Sequence, residues 1–412
     1  MKNLVIFIIG TKNLFRHFRR STISILSVAF CVGTIFFFIA YYRGTYIIMM
    51  RESFIKYKSA HIQLQTKFFD DKKLQDYVTE KTLIKNYPEI ISQIKQFPEV
   101  VGVSGRLITT GFFSNGKEKM IVSIQGCMPE EEKNVSIIDD AIKEGKYFDE
   151  KETGILIGKQ LAELFNLKVG DMCYLQAQTV YNTPNVLVLP VVGIFGTNFY
   201  ELDKNTVFIN LQNANLLSDT ENAVNKIFVM LKDITKVKNF YSKIQKQFGK
   251  EIDIKTWEYY AQALLDNEKG DNVFYIIFIS ILLFISISTI MATMYMNVYE
   301  RTREIATLRA LGWQKSEVFK LFMFESLSIG FCGSIAGLIL GSIPTMYLTY
   351  VGINFKIMSE MMSVPIFKII AKPEVYDLVI ACVIGILSTY LGAFFPSRKA
   401  TKMIISESLR II

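Results

Sequence analysis

The chain has 412 residues, half of them apolar and 13% aromatic, with a formal net charge of +8. This is a membrane-class composition with room for several spans and a separate folded domain. No lysine-arginine stripe interleaved with aromatics occurs in the polar region, so the positive excess belongs to loop flanks and nucleic-acid binding is excluded. The two histidines, His17 and His61, lie far apart, and the five cysteines have no CxxC or Cys/His spacing, so neither a metal site nor a histidine-based catalytic site is expected.

The chain opens on a short apolar run, 4–9, followed by Arg16, Arg19 and Arg20. No small-residue cleavage site precedes this basic cluster. Residues 1–20 are therefore expected to form an amphipathic helix on the cytoplasmic membrane lipid surface rather than a signal peptide. Four later runs, roughly 22–42, 273–298, 319–351 and 375–395, each reach the length needed to cross the hydrocarbon. With their flanks they place a first span and stalk at 21–58, a stalk and second span at 257–298, a third span at 317–351 and a fourth at 375–395. A tail follows at 396–412. Basic residues cluster before the first span, between the second and third (Arg301, Arg303, Arg309, Lys315) and after the fourth (Arg398, Lys399, Lys402, Arg410). Four crossings put all three clusters on one side. Both termini are then expected in the cytoplasm, with 59–256 and the 352–374 loop outside.

The expected fold is an α-helical membrane protein with four transmembrane helices and a large extracytoplasmic α+β domain. Within 59–256, a strand at 59–66, a helix at 87–96 and a strand at 100–107 make one β-α-β run. A strand at 226–231, a helix at 234–248 and a strand at 251–256 make another. This predicts a split subdomain, 59–107 with 224–256, and a mostly-β insertion, 108–223, carrying a helix at 159–166. The flanks 43–58 and 257–269 lack proline and are expected to prolong the membrane helices as a stalk. Cys127 and Cys173 lie in this domain, and their pairing stays open because sequence does not set their separation. The run from Gly154 to Gln160 has the wrong glycine spacing for a phosphate loop, and Gln160 stands where Ser or Thr would hold Mg²⁺. The chain is expected to be no enzyme and to hold no cofactor.

The short charged segment 299–316 between the second and third spans is the strongest functional signal. Glu300 and Arg303 stand at i and i+3. Ile305, Leu308 and Leu311 form an apolar ridge, and Gly312 is a helix end. A helix with such a ridge and flanking arginines suits a groove on a partner protein; an interfacial helix resting on headgroups is the open alternative. In the third span, Gly330, Gly333, Gly337 and Gly341 are expected to let helices approach closely. Glu325, ionisable at membrane depth, is expected to pair with an arginine of the adjacent loop. Ser280, Ser286, Ser288 and Thr289 of the second span either line a substrate cavity or hydrogen-bond across helices, and packing is favoured.

The string Glu300-Arg301-Thr302-Arg303-Glu304-Ile305-x-x-Leu308-Arg309-Ala310-x-Gly312 resembles the coupling helix of FtsX/MacB/Lol-type ABC permeases, which sits in the cleft of a cytoplasmic ATPase. Pro396-Ser397-Arg398-Lys399-Ala400 and Glu407-Ser408-Leu409-Arg410 resemble the family's tail, with Ile405 where a second proline is usual. Asn13-Leu14-x-Arg16 and Arg19-Arg20-Ser21-Thr22 resemble its N-terminal helix. Gly126-x-x-Pro129, Gly145, the run from Gly158 to Asp171, and Val192-Gly193-Ile194-Phe195 with Tyr200-Glu201-Leu202-Asp203 are similar to the LolC/LolE lipoprotein-releasing permeases. The resemblance implies a coupling role for Glu300, Arg301, Arg303, Glu304, Ile305, Leu308, Arg309 and Gly312. It also implies an ATPase dimer as partner, a second permease copy or homologue, a lipoprotein cargo and a periplasmic carrier. The loop that docks the carrier in LolC is short here, 179–190. A MacB-like efflux permease and a membrane-anchored sensor without an ATPase remain alternative readings.

Overall fold

The computed structural model describes residues 18–45, 51–69, 78–149, 153–197, 199–354 and 368–402. Most of the expected surface helix over 1–20 and the 407–410 tail motif lie outside the described residues. The chain divides into two units near residues 47/48 and 266/267.

Among the described residues, four helices are long and apolar enough to cross a membrane, Phe18–Tyr42, Gln262–Glu300, Lys315–Tyr350 and Val375–Thr401. The first and third approach closely because their facing positions are glycine. A Cβ on Gly337 would stand 2.5 Å from the Ala29 carbonyl oxygen, and one on Gly341 would stand 2.6 Å from that of Gly33. Gly333 meets Val28 in the same way, whereas Gly330 faces Thr389 of the fourth helix. The glycine stripe therefore packs against two neighbours. The second helix has 39 residues, roughly 58 Å at the helical rise. One side of it meets its neighbours: Ser24 Oγ donates to Thr293 Oγ1 (2.9 Å), the Ser286 and Ser388 hydroxyls lie 3.4 Å apart, and the rings of Phe38 and Phe278 meet at 4.9 Å. Its other side leaves Phe274, Ile277, Ile281 and Phe284 exposed.

The sheet unit carries ten strands in one mixed sheet: β1 (Ile62–Thr66), β2 (Val100–Ser114), β3 (Lys119–Cys127), β4 (Ile142–Gly145), β5 (Ile155–Gly158), β6 (Met172–Gln178), β7 (Pro184–Phe195), β8 (Thr206–Asn210), β9 (Lys226–Leu231) and β10 (Ile252–Thr256). At one end the order is β10-β1-β9-β2, all antiparallel. Helices Tyr87–Lys95 and Val237–Phe248 connect β1 to β2 and β9 to β10. The two β-α-β runs thus interleave as neighbours. At the other end β2, β3, β8, β5, β7 and β6 pair in turn, and β6 returns to β2, so this part closes on itself. Alternation along β6 turns Cys173, Leu175 and Ala177 inward, where they join Phe113, Val122 and Ile124 in a buried apolar cluster.

The boundary expected at 107/108 falls inside β2. This 15-residue strand pairs with β9 over its first half and with β3 and β6 over its second. A hydrophobic pattern does not show where one strand changes partners. At that junction Arg106 is buried: its Nε donates to Glu132 (3.2 Å), Nη2 makes a second bond to the same carboxylate, Nη1 donates to Gln125 (2.8 Å), and the guanidinium lies 4.1 Å from the Phe228 ring centroid. Cys127 and Cys173 are free buried thiols on β3 and β6. The expected continuous stalk over 257–269 breaks at Ala261, between the Trp257–Tyr260 turn and the long helix from Gln262. The segment after the first span is helical at Arg51–Phe54 and then widens to a π-turn, Ile55–Ser59.

Candidate functional site

The second helix ends at Glu300, and a separate nine-residue helix, Thr302–Ala310, begins after one non-helical residue, Arg301 (φ −97°, ψ 17°). Gly312 closes this loop helix at φ +94°, a left-handed position that suits glycine. The Trp313 N–H reaches the Leu308 carbonyl (3.1 Å) and the Gly312 N–H that of Arg309 (3.1 Å), a Schellman ending. Arg309 Nη1 donates to the Trp313 carbonyl (3.0 Å). The third helix follows at once from Gln314, which Glu317 caps. The loop helix is thus fixed at both ends by short-range bonds that its own sequence supplies.

Its faces are not those expected from the ridge. Ile305 is only 3% exposed and, with Ala306, turns inward, where Ile305 clusters with Val298, Val318 and Phe322. Leu308 and Arg309 are half-buried. Arg303, Thr307 and Ala310 are exposed, and Leu311 is 76% exposed. Ile305 is therefore a core residue of the span cluster: a nine-residue helix lying against two spans must bury one side of itself. Arg301 also turns inward. Its guanidinium is buried, with Nε donating to Glu304 (2.8 Å), Nη1 donating to Glu325 (3.0 Å), and the Phe322 ring centroid 5.5 Å away. Glu325 has found the loop arginine that its depth called for. Glu304 is half-buried, and Glu300 and Gly312 are exposed.

The second-span hydroxyls separate. Ser286 is buried against Ser388 of the fourth helix. Ser280 is exposed and Thr289 half-buried, and each hydroxyl bonds back to the carbonyl four residues earlier, Ile276 (2.7 Å) and Ile285 (2.9 Å). Such back-bonding satisfies a hydroxyl in apolar surroundings without a partner helix.

Two features escaped the sequence reading. Lys399 Nζ donates to Tyr299 Oη (2.7 Å) and lies over the rings of Tyr295 and Tyr299, tying the end of the fourth helix to the end of the second. Arg43 and Asp377 pair across the ends of the first and fourth helices. A lone arginine and a lone aspartate at the edges of apolar runs were the signals for the second feature.

Four membrane helices, a large mixed-sheet domain inserted after the first of them, and a short charged helix held between the second and third define a permease subunit. A model of the MacB-like periplasmic core domain matches residues 21–247, and a model of the FtsX-like permease C-terminal region matches residues 276–405. The chain belongs to this family of FtsX/MacB-type ABC permeases. Among curated relatives, the lipoprotein-releasing system transmembrane protein LolC of Neisseria meningitidis serogroup B is 24% identical, over 72% of this chain and 75% of the relative. The corresponding LolE of Haemophilus influenzae is 22% identical, over 79% and 80%. Among solved structures, the periplasmic region of MacB from Actinobacillus actinomycetemcomitans matches 52% of this chain and 97% of its own, at 10% identity and a TM-score of 0.35.

Proposed function

We propose that this chain is the membrane subunit of a complex that extracts lipoproteins from the outer leaflet of a bacterial inner membrane, driven by a separate cytoplasmic ATPase dimer that binds ATP and Mg²⁺. The observation that carries the reading is the two-faced loop helix. Ile305 and Ala306 bind it to the spans, while Arg303, Thr307, Ala310 and Leu311 are left outward for a partner. A helix presenting a small apolar tip beside a cation suits a groove on another protein.

The basic clusters support a reading with this loop and both termini on the cytoplasmic side and the sheet unit in the periplasm. Closure of the ATPases then displaces the loop helix, and the unbroken Gln262–Glu300 helix carries the displacement across the bilayer. A second permease copy or homologue completes the complex, and the exposed side of the second helix, with Ser280 and the half-buried Thr289 near it, borders the cargo cavity. Lipoprotein as the cargo is supported by the names of the LolC and LolE relatives.

The test is purification from native membranes followed by reconstitution. An ATPase is expected to co-purify, triacylated peptide is expected to stimulate hydrolysis, and Leu308→Asp or Leu311→Asp is expected to abolish the stimulation. Absence of any co-purifying nucleotide hydrolase overturns the reading. Stimulation by non-acylated efflux substrates instead of acylated peptide overturns the choice of cargo.

A further inference from the structure

The loop helix joins its neighbours through two short breaks, Arg301 on one side and the turn from Leu311 to Gln314 on the other. The end bonds and the buried Ile305 hold the helix in place, and a polar attachment adds resistance to tilt. The Arg301 side chain leaves the first break and reaches Glu304 on the loop helix and Glu325 on the third span. Glu325 lies ten residues beyond Lys315, where the third helix starts, roughly 15 Å along its axis. The brace therefore grips the span well inside its length rather than at its frayed end.

We propose that the Arg301–Glu325 pair is the rigid joint that makes the loop helix and the third span move as one lever, with Arg301 a positioning residue for coupling rather than a contact of the ATPase. The proposal rests on the coupling reading above and adds a second route to it. The third span meets the first through Gly333, Gly337 and Gly341, so displacement passes to the first span as well as along the second. The chemistry suits a joint. The arginine fork is planar and rigid and serves two carboxylates at once, which a lysine ammonium on a flexible stem does not do in a fixed geometry. Both side chains are withdrawn from solvent, at 8% and 2% exposed, so water does not compete for the bonds as it does at a surface pair. The Phe322 ring centroid lies 5.5 Å from the guanidinium, and Phe322 belongs to the same buried cluster as Ile305.

The experiment uses the full chain in lipid nanodiscs, with spin labels at the exposed positions Thr307 and Lys320. The native pair is expected to hold the two labels at one narrow distance. R301Q leaves Glu325 without its arginine, whereas E325Q leaves Arg301 its bond to Glu304. The double variant R301Q/E325Q removes both charges of the pair and is expected to fold and to broaden the distance distribution. In the assembled complex the same double variant is expected to bind the ATPase at native stoichiometry while losing about tenfold in acyl-peptide stimulation, within the range usual for coupling between sites. A folded double variant with an unchanged narrow distance overturns the joint. So does one with a broad distance but native stimulation. The distance measurement needs no ATPase, so failure to find an ATPase partner overturns the functional reading and leaves the joint to be judged on its own result.

Discussion

Arg43 Nη1 donates to Asp377 Oδ2 at 2.7 Å, joining the end of the first membrane helix to the first turn of the fourth. Asp377 is fully buried, its Oδ2 also accepts the Glu374 N–H (2.9 Å), and Glu374 adds a second, half-exposed carboxylate 3.1 Å from the same arginine. Removing one partner of a buried pair leaves an uncompensated charge, which costs about 3–5 kcal/mol, whereas replacing both with apolar groups is often neutral. Arg43→Ala is therefore expected to lower the thermal midpoint of the solubilised protein severely, Arg43→Met with Asp377→Leu much less, and Glu374→Gln by about 1 kcal/mol or less. Equal effects of all three would show that the pair carries no coupling energy.

The glycines divide into two kinds. Gly337→Val and Gly341→Val push a side chain into the first helix's backbone and are expected to cost about 1–3 kcal/mol or more through overpacking. Gly270→Ala, in the long helix with nothing within 4 Å of the new methyl, is expected to gain about 1 kcal/mol from helix propensity. Chemical denaturation in mild detergent ranks the three variants, and the reverse order would refute the close approach of the first and third helices.

His61 makes the sheet unit acid-sensitive. Burial holds its imidazole down at about 4, against the upward pull of Asp233, Glu258 and Glu52, and its Nδ1 accepts the Leu231 N–H at 3.1 Å. The unfolded chain takes up this proton at about pH 6.5. The unfolded state therefore binds more protons between these values, so the stabilisation is complete above about pH 6.5 and is lost as pH falls toward 4. At about 1.4 kcal/mol per pH unit the loss reaches about 3 kcal/mol. His61→Asn keeps an acceptor in place but does not titrate, so the variant's stability curve is expected to be flatter over this window. An identical slope would assign the acid sensitivity to other groups.

Cys127 and Cys173 are expected to remain thiols in an oxidising compartment. They occupy different strands of the closed sheet, with Sγ atoms directed at the Ile209 and Leu189 carbonyls, and burial pushes the Cys173 thiol up to about 12. Reductant should leave the thermal midpoint unchanged, and thiol reagents should label both residues only on unfolding. A mass shift for a disulfide between them would contradict the strand order.

Ile305→Asp and Leu311→Asp differ by one helical turn and a half and are expected to fail differently. The first buries a carboxylate in the span cluster and should impair folding. The second alters a residue already in solvent and should leave stability within about 0.5 kcal/mol while abolishing ATPase stimulation. Thermal midpoints and stimulation measured on the same preparations separate the two outcomes.

Much of the architecture was legible because it rests on local signals. Apolar run length marked the four spans, although Gln262–Glu300 extends well beyond the apolar stretch, through a polar start that holds no proline to stop it. Alternation and proline placement marked β1, β9 and β10 and the helices Tyr87–Lys95 and Val237–Phe248 to within a few residues. Periodicity also showed that the 299–316 loop is helical and ends at Gly312. It did not show which side faces inward. Ile305, Leu308 and Leu311 form one ridge by spacing, yet Ile305 is core and Leu311 is solvent-facing, because the break at Arg301 sets the helix's rotation against the spans.

The amino-acid order alone determined where the chain is apolar enough to enter a bilayer, where it bends, and which short segment is charged between two spans, since each follows from neighbours within a few residues. Only the folded chain decided that β2 belongs to two halves of one sheet, that Arg301 turns toward Glu325, and that Arg43 meets Asp377 from more than three hundred residues away. Those pairings depend on which surfaces are brought together in space, and the cost of leaving a buried charge or strand edge unsatisfied selects among them only after the helices and strands have met.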